Sequence, residues 1–293
     1  MMNEIPHHGA PDAAPDAAVQ VIRPTGLRSR FVFASPHSGS AYPAAFLDRS
    51  ALSLAELRRS EDAHVDALMA DAPGLGAPLV RALFPRSLID PNRAETELDP
   101  VLFGPQAHAI AGRISQRAAA GLGIVPRLAG EGCAIYDGPL EMAEAEARIR
   151  LYYRPYHAAL AAELEAARAS FGSSVLIDCH SMPSASARGA DIVLGDRFGA
   201  SCAPEITDCA ERLFRAEGFR VVRNRPYAGG FSTEHYGCPA EGRHALQIEI
   251  NRALYMHERS LARTVGFDRL REKIARVTAG LIATDTGLAR AAE

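Results

Sequence analysis

The run Val175-Leu176-Ile177-Asp178-Cys179 is the strongest constraint on how this chain folds. It is a continuous apolar strand apart from Asp178, and a strand sends successive side chains to opposite faces. A strand apolar on both faces needs cover on both faces, which helices provide in α/β proteins. Other strand-like runs obey the same logic. Phe31 to Ser35 is a short apolar run ended by Pro36, Leu79 to Ile89 holds strand material interrupted by Pro85, and Asp191 to Gly195 and Arg220 to Val222 are short extended pieces. His244 to Asn251 is a strand with clear alternation.

Helix-like segments lie between them. Ser53 to Ala70 has Ser53 as a cap, Glu56 three residues on, and an apolar stripe of Leu54, Leu57, Val65 and Leu68. Leu140 to Phe171 is a long helical region in which Pro155 forces a kink or break, and Gly172 ends it. Ala203 to Glu217 is helical, and a last helix is expected from Glu258 to about Ala283, with Gly287 just beyond. Alternating strands and helices predict an α/β sandwich with a central mixed sheet and a site at the strand ends.

Residues 1 to 20, rich in Ala, Pro and Asp, are expected to be a disordered tail, with His7 and His8 solvated, and residues 21–293 a single domain. That tail lacks the basic and apolar parts of a signal peptide, and no run of about 18 apolar residues predicts a membrane span. A net charge of -3 argues against nucleic acid and anionic membrane surfaces as partners. Cys133, Cys179, Cys202, Cys209 and Cys238 are odd in number and lack CxxC spacing, so buried free thiols in a reducing cytoplasm are expected. GxSxG, HExxH and P-loop patterns are missing, and neither Gly74-Leu75-Gly76 nor Gly121-Leu122-Gly123 completes a dinucleotide fingerprint.

Six places could carry chemistry. His180 comes at the end of the buried strand, and period-2 geometry puts it on the face of Asp178, which suits a metal ligand with an acidic partner behind it. His37, in Pro36-His37-Ser38-Gly39-Ser40, repeats the pattern after another strand, and two strand-end histidines suggest a shared metal. A third ligand is needed. Glu61 and Asp62 are the best carboxylates, although on sequence alone ordinary helix-surface charge explains them better, and the Glu61/His64 spacing is a weak motif by itself. In Ala245 to Asn251, Leu246, Ile248 and Ile250 point one way, and Gln247, Glu249 and Asn251 the other. A carboxylate inside such a strand is unfavourable unless paired or useful; beside a metal, Glu249 is a general base, and otherwise that face is solvated. The Arg of Asp90-Pro91-Asn92-Arg93 offers a fork for a carboxylate, or a salt bridge with Glu95 or Glu97. The Gly-rich stretch Tyr227 to Gly237 is either a substrate-covering loop or a plain connection, and His157 reads as a core histidine.

Taken in order, Ser35-Pro36-His37-Ser38-Gly39, Glu61-Asp62-Ala63-His64-Val65-Asp66, Asp90-Pro91-Asn92-Arg93, Asp178-Cys179-His180-Ser181, Gly229-Gly230 and Gln247-Ile248-Glu249-Ile250-Asn251-Arg252 resemble the N-formylglutamate amidohydrolase family over residues from about 30 to 260. The resemblance implies a three-layer α/β/α sandwich like that of zinc carboxypeptidases and aspartoacylases. It also implies one zinc ion per chain and cytoplasmic cleavage of formate from N-formyl-L-glutamate in histidine degradation. Carried over, His37 and His180 match the histidine ligands and Glu249 the base. Asn92 and Arg93 match the pair that holds substrate and polarises the scissile carbonyl. The acidic ligand of the related folds has Ser40 in its place here, so Asp62 is assigned, with Glu61 second. Gly230 and Thr233 of the loop, and Arg252 by position, are assigned to substrate. The competing expectations are a hydrolase of another N-acyl amino acid or small peptide, and a metal- or ligand-binding protein without catalysis.

Overall fold

The computed structural model describes residues 17–130 and 132–291. Nine strands occur among them: β1 (Val19–Ile22), β2 (Phe31–Ser35), β3 (Leu79–Ala82), β4 (Leu128–Ala129), β5 (Cys133–Ala134), β6 (Ser174–Met182), β7 (Ile192–Gly195), β8 (Val221–Arg223) and β9 (Arg243–Asn251). Seven build the main sheet in the order β1-β3-β2-β6-β9-β7-β8, while β4 and β5 pair apart from it. β3, β2, β6 and β9 run parallel, β1 is antiparallel to β3, and β7 is antiparallel to β9, so the sheet is mixed.

Alternation along the central strands divides the interior into two cores. Phe31, Phe33, Val175, Ile177, Leu246, Ile248 and Ile250 face one side, where the helices Pro204–Ala216 and Gly266–Ala291 supply Phe214, Leu270 and Ile274. Val32, Ala34, Leu176 and Ala245 face the other, under the helix Arg154–Phe171 with Tyr156, Leu160 and Leu164. This is the three-layer α/β/α sandwich expected, with the polar residues of β6 and β9 on the second face.

Several boundaries differ from the expectations. Residues 1–16, with His7 and His8, lie outside the described residues, but Val19 and Gln20, assigned to a tail, belong to β1. β3 ends at Ala82, and the chain to Arg93 is irregular. Ser53 does cap a helix through a capping box with Glu56, but that helix stops at Leu57. Beyond Arg58–Ser60, Glu61 is extended and His64 has φ 66°, before a short turn of helix at Val65–Leu68. Tertiary bonds override the helical stripe here: the Asp62 amide donates to the His37 carbonyl at 3.0 Å, and Arg252 holds the Glu61 carbonyl at 2.7 Å. Pro155 breaks nothing, because the five residues Ile149–Tyr153 are wound as a π-turn between the helix Met142–Arg148 and its own helix, whose first turn needs no proline N–H. Gly172 closes that helix at φ 76°, as expected. The last helix starts at Gly266 rather than near Glu258, and Gly287 lies within it. All five cysteines are free, but Cys133 is exposed and Cys238 half-buried. Among the described residues no helix is long and apolar enough to cross a membrane.

Candidate active site

β2 and β6 are parallel neighbours, so their carboxyl ends open onto the same edge of the sheet. His37 lies just past β2 and His180 near the end of β6, both almost fully buried. The turn carrying His37 is fixed by Ser38, whose hydroxyl donates to the Asp62 carbonyl at 3.2 Å and accepts from the Asp66 amide at 3.1 Å. Gly39 lets this turn lie on the chain leaving β3: a Cβ there would stand 2.1 Å from the Phe84 carbonyl oxygen. The interrupted helix thus delivers Asp62 to the two histidines.

The three side chains form a tight triangle. Asp62 Oδ2 is 3.2 Å from His37 Nδ1 and 3.0 Å from His180 Nδ1, and the two ring nitrogens are 3.1 Å apart. A tetrahedral zinc ion with bonds of about 2.0–2.1 Å needs ligand atoms about 3.3 Å apart, so this donor set fits such an ion. Among the described residues these three are the one group of histidine, cysteine and acidic side chains placed to hold a metal. Glu61 is turned away, accepting from the Tyr42 hydroxyl at 2.9 Å and from Arg58 at 3.0 Å, and His64 bonds the Leu261 carbonyl at 2.8 Å.

Behind the triangle stands a second layer of acids. His37 Nε2 is 2.7 Å from Asp90 Oδ1, and His180 Nε2 is 2.9 Å from Asp178 Oδ2. The Asp178 contact is close but out of line for a hydrogen bond, and neither of its carboxylate oxygens has a hydrogen-bonding partner. Asp90, accepting from His37 Nε2, leaves that ring's Nδ1 lone pair to the triangle. Burial pushes the Asp62 carboxyl up, but hydrogen bonds from His180 and His37 hold it well below the usual carboxylate range. Asp90 is likewise held low against its burial by the charges of Arg86 and His37. For His180 burial works against the proton, and Asp178 and Asp62 overcome it, raising the imidazole well above its ordinary value.

Glu249 occupies β9 at the position paired with His180 on β6. It is buried, and its Oε1 accepts from Gln247 Nε2 at 2.9 Å. Burial lifts its carboxyl from 4.5 to about 7, the charge of His180 opposing and that of Asp62 assisting. A carboxyl poised near neutrality is suited to exchanging protons.

A cavity of about 680 Å³ opens over this cluster. Asn92 and Arg93 line it, with Asn92 Nδ2 3.3 Å from His180 Nε2. Arg93 gives Nε to the Leu122 carbonyl at 2.8 Å and an NH1 proton to the Asn92 carbonyl at 2.7 Å, and its other terminal nitrogen lies 3.9 Å from Asp90 Oδ2. Gly230 also lines the cavity, and a Cβ on it would meet the Asn92 side chain at 2.4 Å. Thr233 does not reach the cavity; its hydroxyl donates to the Gly230 carbonyl at 2.8 Å and fixes the loop. Arg252 lines the cavity, but its donors go to Ser181, to the carbonyls of Arg59 and Glu61, and to Asp62 Oδ1 at 2.9 Å, which makes it a brace for the acidic ligand position. His157 is half-buried and bonded to the Tyr236 hydroxyl and the Pro91 carbonyl.

The sequence reasoning missed Arg86, Asp90 and Gln247. Asp90 was in view beside Asn92 and Arg93, and Gln247 shares the face of Glu249, so both had a signal. Arg86, which joins Asp90 at 2.8 Å and lies 3.8 Å from Asp62, had none.

Fold and site together define an α/β/α protein with a His-Asp-His metal-type centre, an interior carboxylate and an arginine-lined cavity. The N-formylglutamate amidohydrolase family model matches residues 29–256. The N-formylglutamate deformylase of Pseudomonas putida is 32% identical over 246 residues, covering 79% of this chain and 83% of that protein. The deformylase of the same name from Pseudomonas aeruginosa is 30% identical over 241 residues, covering 80% and 84%. The crystal structure of N-formylglutamate amidohydrolase from Ralstonia eutropha JMP134 superposes with a TM-score of 0.85 at 37% identity, over 92% of this chain and 99% of that one. A gene product of Agrobacterium tumefaciens, 19% identical with a TM-score of 0.66 over 93% and 94%, shares the fold. The chain belongs to the N-formylglutamate amidohydrolase family.

Proposed function

We propose that this chain is a zinc-dependent deformylase that splits N-formyl-L-glutamate into formate and L-glutamate. The observation that carries the reading is the triangle of His37, Asp62 and His180 with Glu249 beside it. His37, Asp62 and His180 would hold the ion, which supplies Lewis acidity, polarising a carbonyl and lowering the pKa of water from about 16 to about 7.

The residues of the chain do the rest. Glu249, with a carboxyl near 7, takes the proton of the attacking water and passes it to the departing amide nitrogen. Asp90 keeps the His37 imidazole oriented, Asp178 lies against the far nitrogen of His180, and Arg252 keeps Asp62 in place. The free end of Arg93 and the Asn92 amide take the substrate α-carboxylate and assist the oxyanion, an effect worth roughly 3 kcal/mol per donor. Gly230 leaves room for the Asn92 side chain to hold that position. The names of the relatives support the formyl substrate, while a cytoplasmic setting and a step of histidine degradation are what the family resemblance implies.

The test is formate release from N-formyl-L-glutamate by zinc-loaded protein, with and without chelator. Chelator-sensitive release is expected. Release from N-acetyl or N-succinyl amino acids but not from the formyl compound would move the assignment to another N-acyl amino acid, and no hydrolysis of any of them would end the enzymatic reading.

A further inference from the structure

Five arginines line the cavity: Arg59, Arg86, Arg93, Arg117 and Arg252. Among the described residues they face three carboxylates, those of Asp62, Asp90 and Glu249. Two of the arginines are committed to acids, and a third is partly held. Arg86 bonds Asp90, Arg252 bonds Asp62, and Arg93 is tied to two carbonyls and lies 3.9 Å from Asp90. Among the described residues, the guanidiniums of Arg59 and Arg117 meet no carboxylate at ion-pair distance.

Arg59 is half-buried, whereas Arg117 is exposed while still lining the cavity. The stem of Arg59 lies against Gly130, and its carbonyl is held by Arg252, which anchors it beside Asp62. Arg117 lies in the short helix Gln116–Ala119, and its carbonyl accepts from the Leu122 amide, the same residue whose carbonyl receives Arg93. Burial, together with the like charges of Arg86 and Arg117, works against the charge on Arg93. Cations gathered around a cavity without counter-charges favour an anion between them.

We propose that Arg59 and Arg117 form the subsite for the second carboxylate of a dicarboxylic N-acyl substrate. They thereby select an acidic amino acid over its amide. This rests on the deformylase reading and replaces Arg252, whose donors are spent on the protein itself. The first carboxylate of such a substrate is left to Asn92 and Arg93.

The experiment compares the zinc-loaded wild type with Arg59→Met, Arg117→Met and the double variant in two arms. In turnover, the preference of kcat/KM for N-formyl-L-glutamate over N-formyl-L-glutamine falls about tenfold or more for each arginine, mostly through KM, while the glutamine compound is little affected. In binding, glutarate loses affinity by a similar factor, while its half-amide keeps its own and thereby reports an intact fold. A double variant with the wild-type preference for both dicarboxylates overturns the proposal. If no formate is released from either compound, the deformylase reading fails, and the glutarate arm still decides the subsite. Should methionine disturb the wall, Arg59→Gln with Arg117→Gln is read in the same way.

Discussion

Changing Glu249 to Gln tests the site through stability rather than activity. The carboxyl is lifted from 4.5 in the unfolded chain to about 7 in the fold, chiefly by burial. Each tenfold change in proton affinity is about 1.4 kcal/mol, so keeping this group charged in the folded interior costs about 3 kcal/mol. Because the folded value is the higher one, folding takes up a proton between these limits. The contribution of Glu249 to stability is complete below pH 4.5 and is lost as pH rises through 7. A glutamine side chain has nearly the same shape, still accepts from Gln247, and carries no charge to desolvate. In metal-free protein, Glu249→Gln should therefore be more stable than wild type by about 3 kcal/mol at pH 8, but by less than about 1 kcal/mol at pH 5. Urea unfolding of chelator-treated protein at the two pH values measures this, and the same variant should release no formate while still binding zinc. A variant of equal or lower stability at pH 8, or a difference that does not change with pH, would refute the claim that burial holds this carboxyl near neutrality for proton transfer.

The same geometry has other consequences. His180→Ala removes one corner of the triangle, so both zinc content by elemental analysis and activity should be lost; a full zinc complement would reject it as a ligand. Arg252→Met releases the brace on Asp62 and should weaken zinc about 10–100-fold in competition with a chromophoric chelator, while the preference for glutamate over glutamine stays; an unchanged zinc affinity would contradict the bracing role. Gly39→Ala places a Cβ 2.1 Å from the Phe84 carbonyl oxygen and should cost about 1–3 kcal/mol in thermal unfolding, with wild-type stability counting against the close approach.

What the sequence revealed and what it hid divide along a physical line. His180, Glu249 and their faces were legible because strand alternation is local: once Leu246, Ile248 and Ile250 are apolar, Glu249 must share the other face with Gln247, and the two cores bear this out. The α/β/α layering was legible for the same reason, since a strand apolar on both sides needs two covers. The failure at Ser53 to Ala70 is equally instructive. The capping box and the stripe are present, and Leu57, Val65 and Leu68 are all buried, yet the helix is interrupted where Asp62 must reach His37 and His180. A local helical preference of a few tenths of a kcal/mol per residue yields to several buried, charge-assisted bonds.

Charge pairing is the part that no local pattern encodes. Arg252 looked like a substrate arginine because a guanidinium after a strand is suited to a carboxylate, and it does bind one, that of Asp62, far away in the chain. The same holds for Arg86, with no periodic signal, whose carboxylates are Asp90 and Asp62. An arginine's function depends on which acids remain once the chain has paired its own, so it is decided by subtraction over the whole site. Applied to this cavity, the subtraction leaves Arg59 and Arg117. The second carboxylate of a dianion is therefore left to the two arginines with no acid of their own, while Arg86 and Arg252 hold the metal centre and Arg93 takes the first carboxylate.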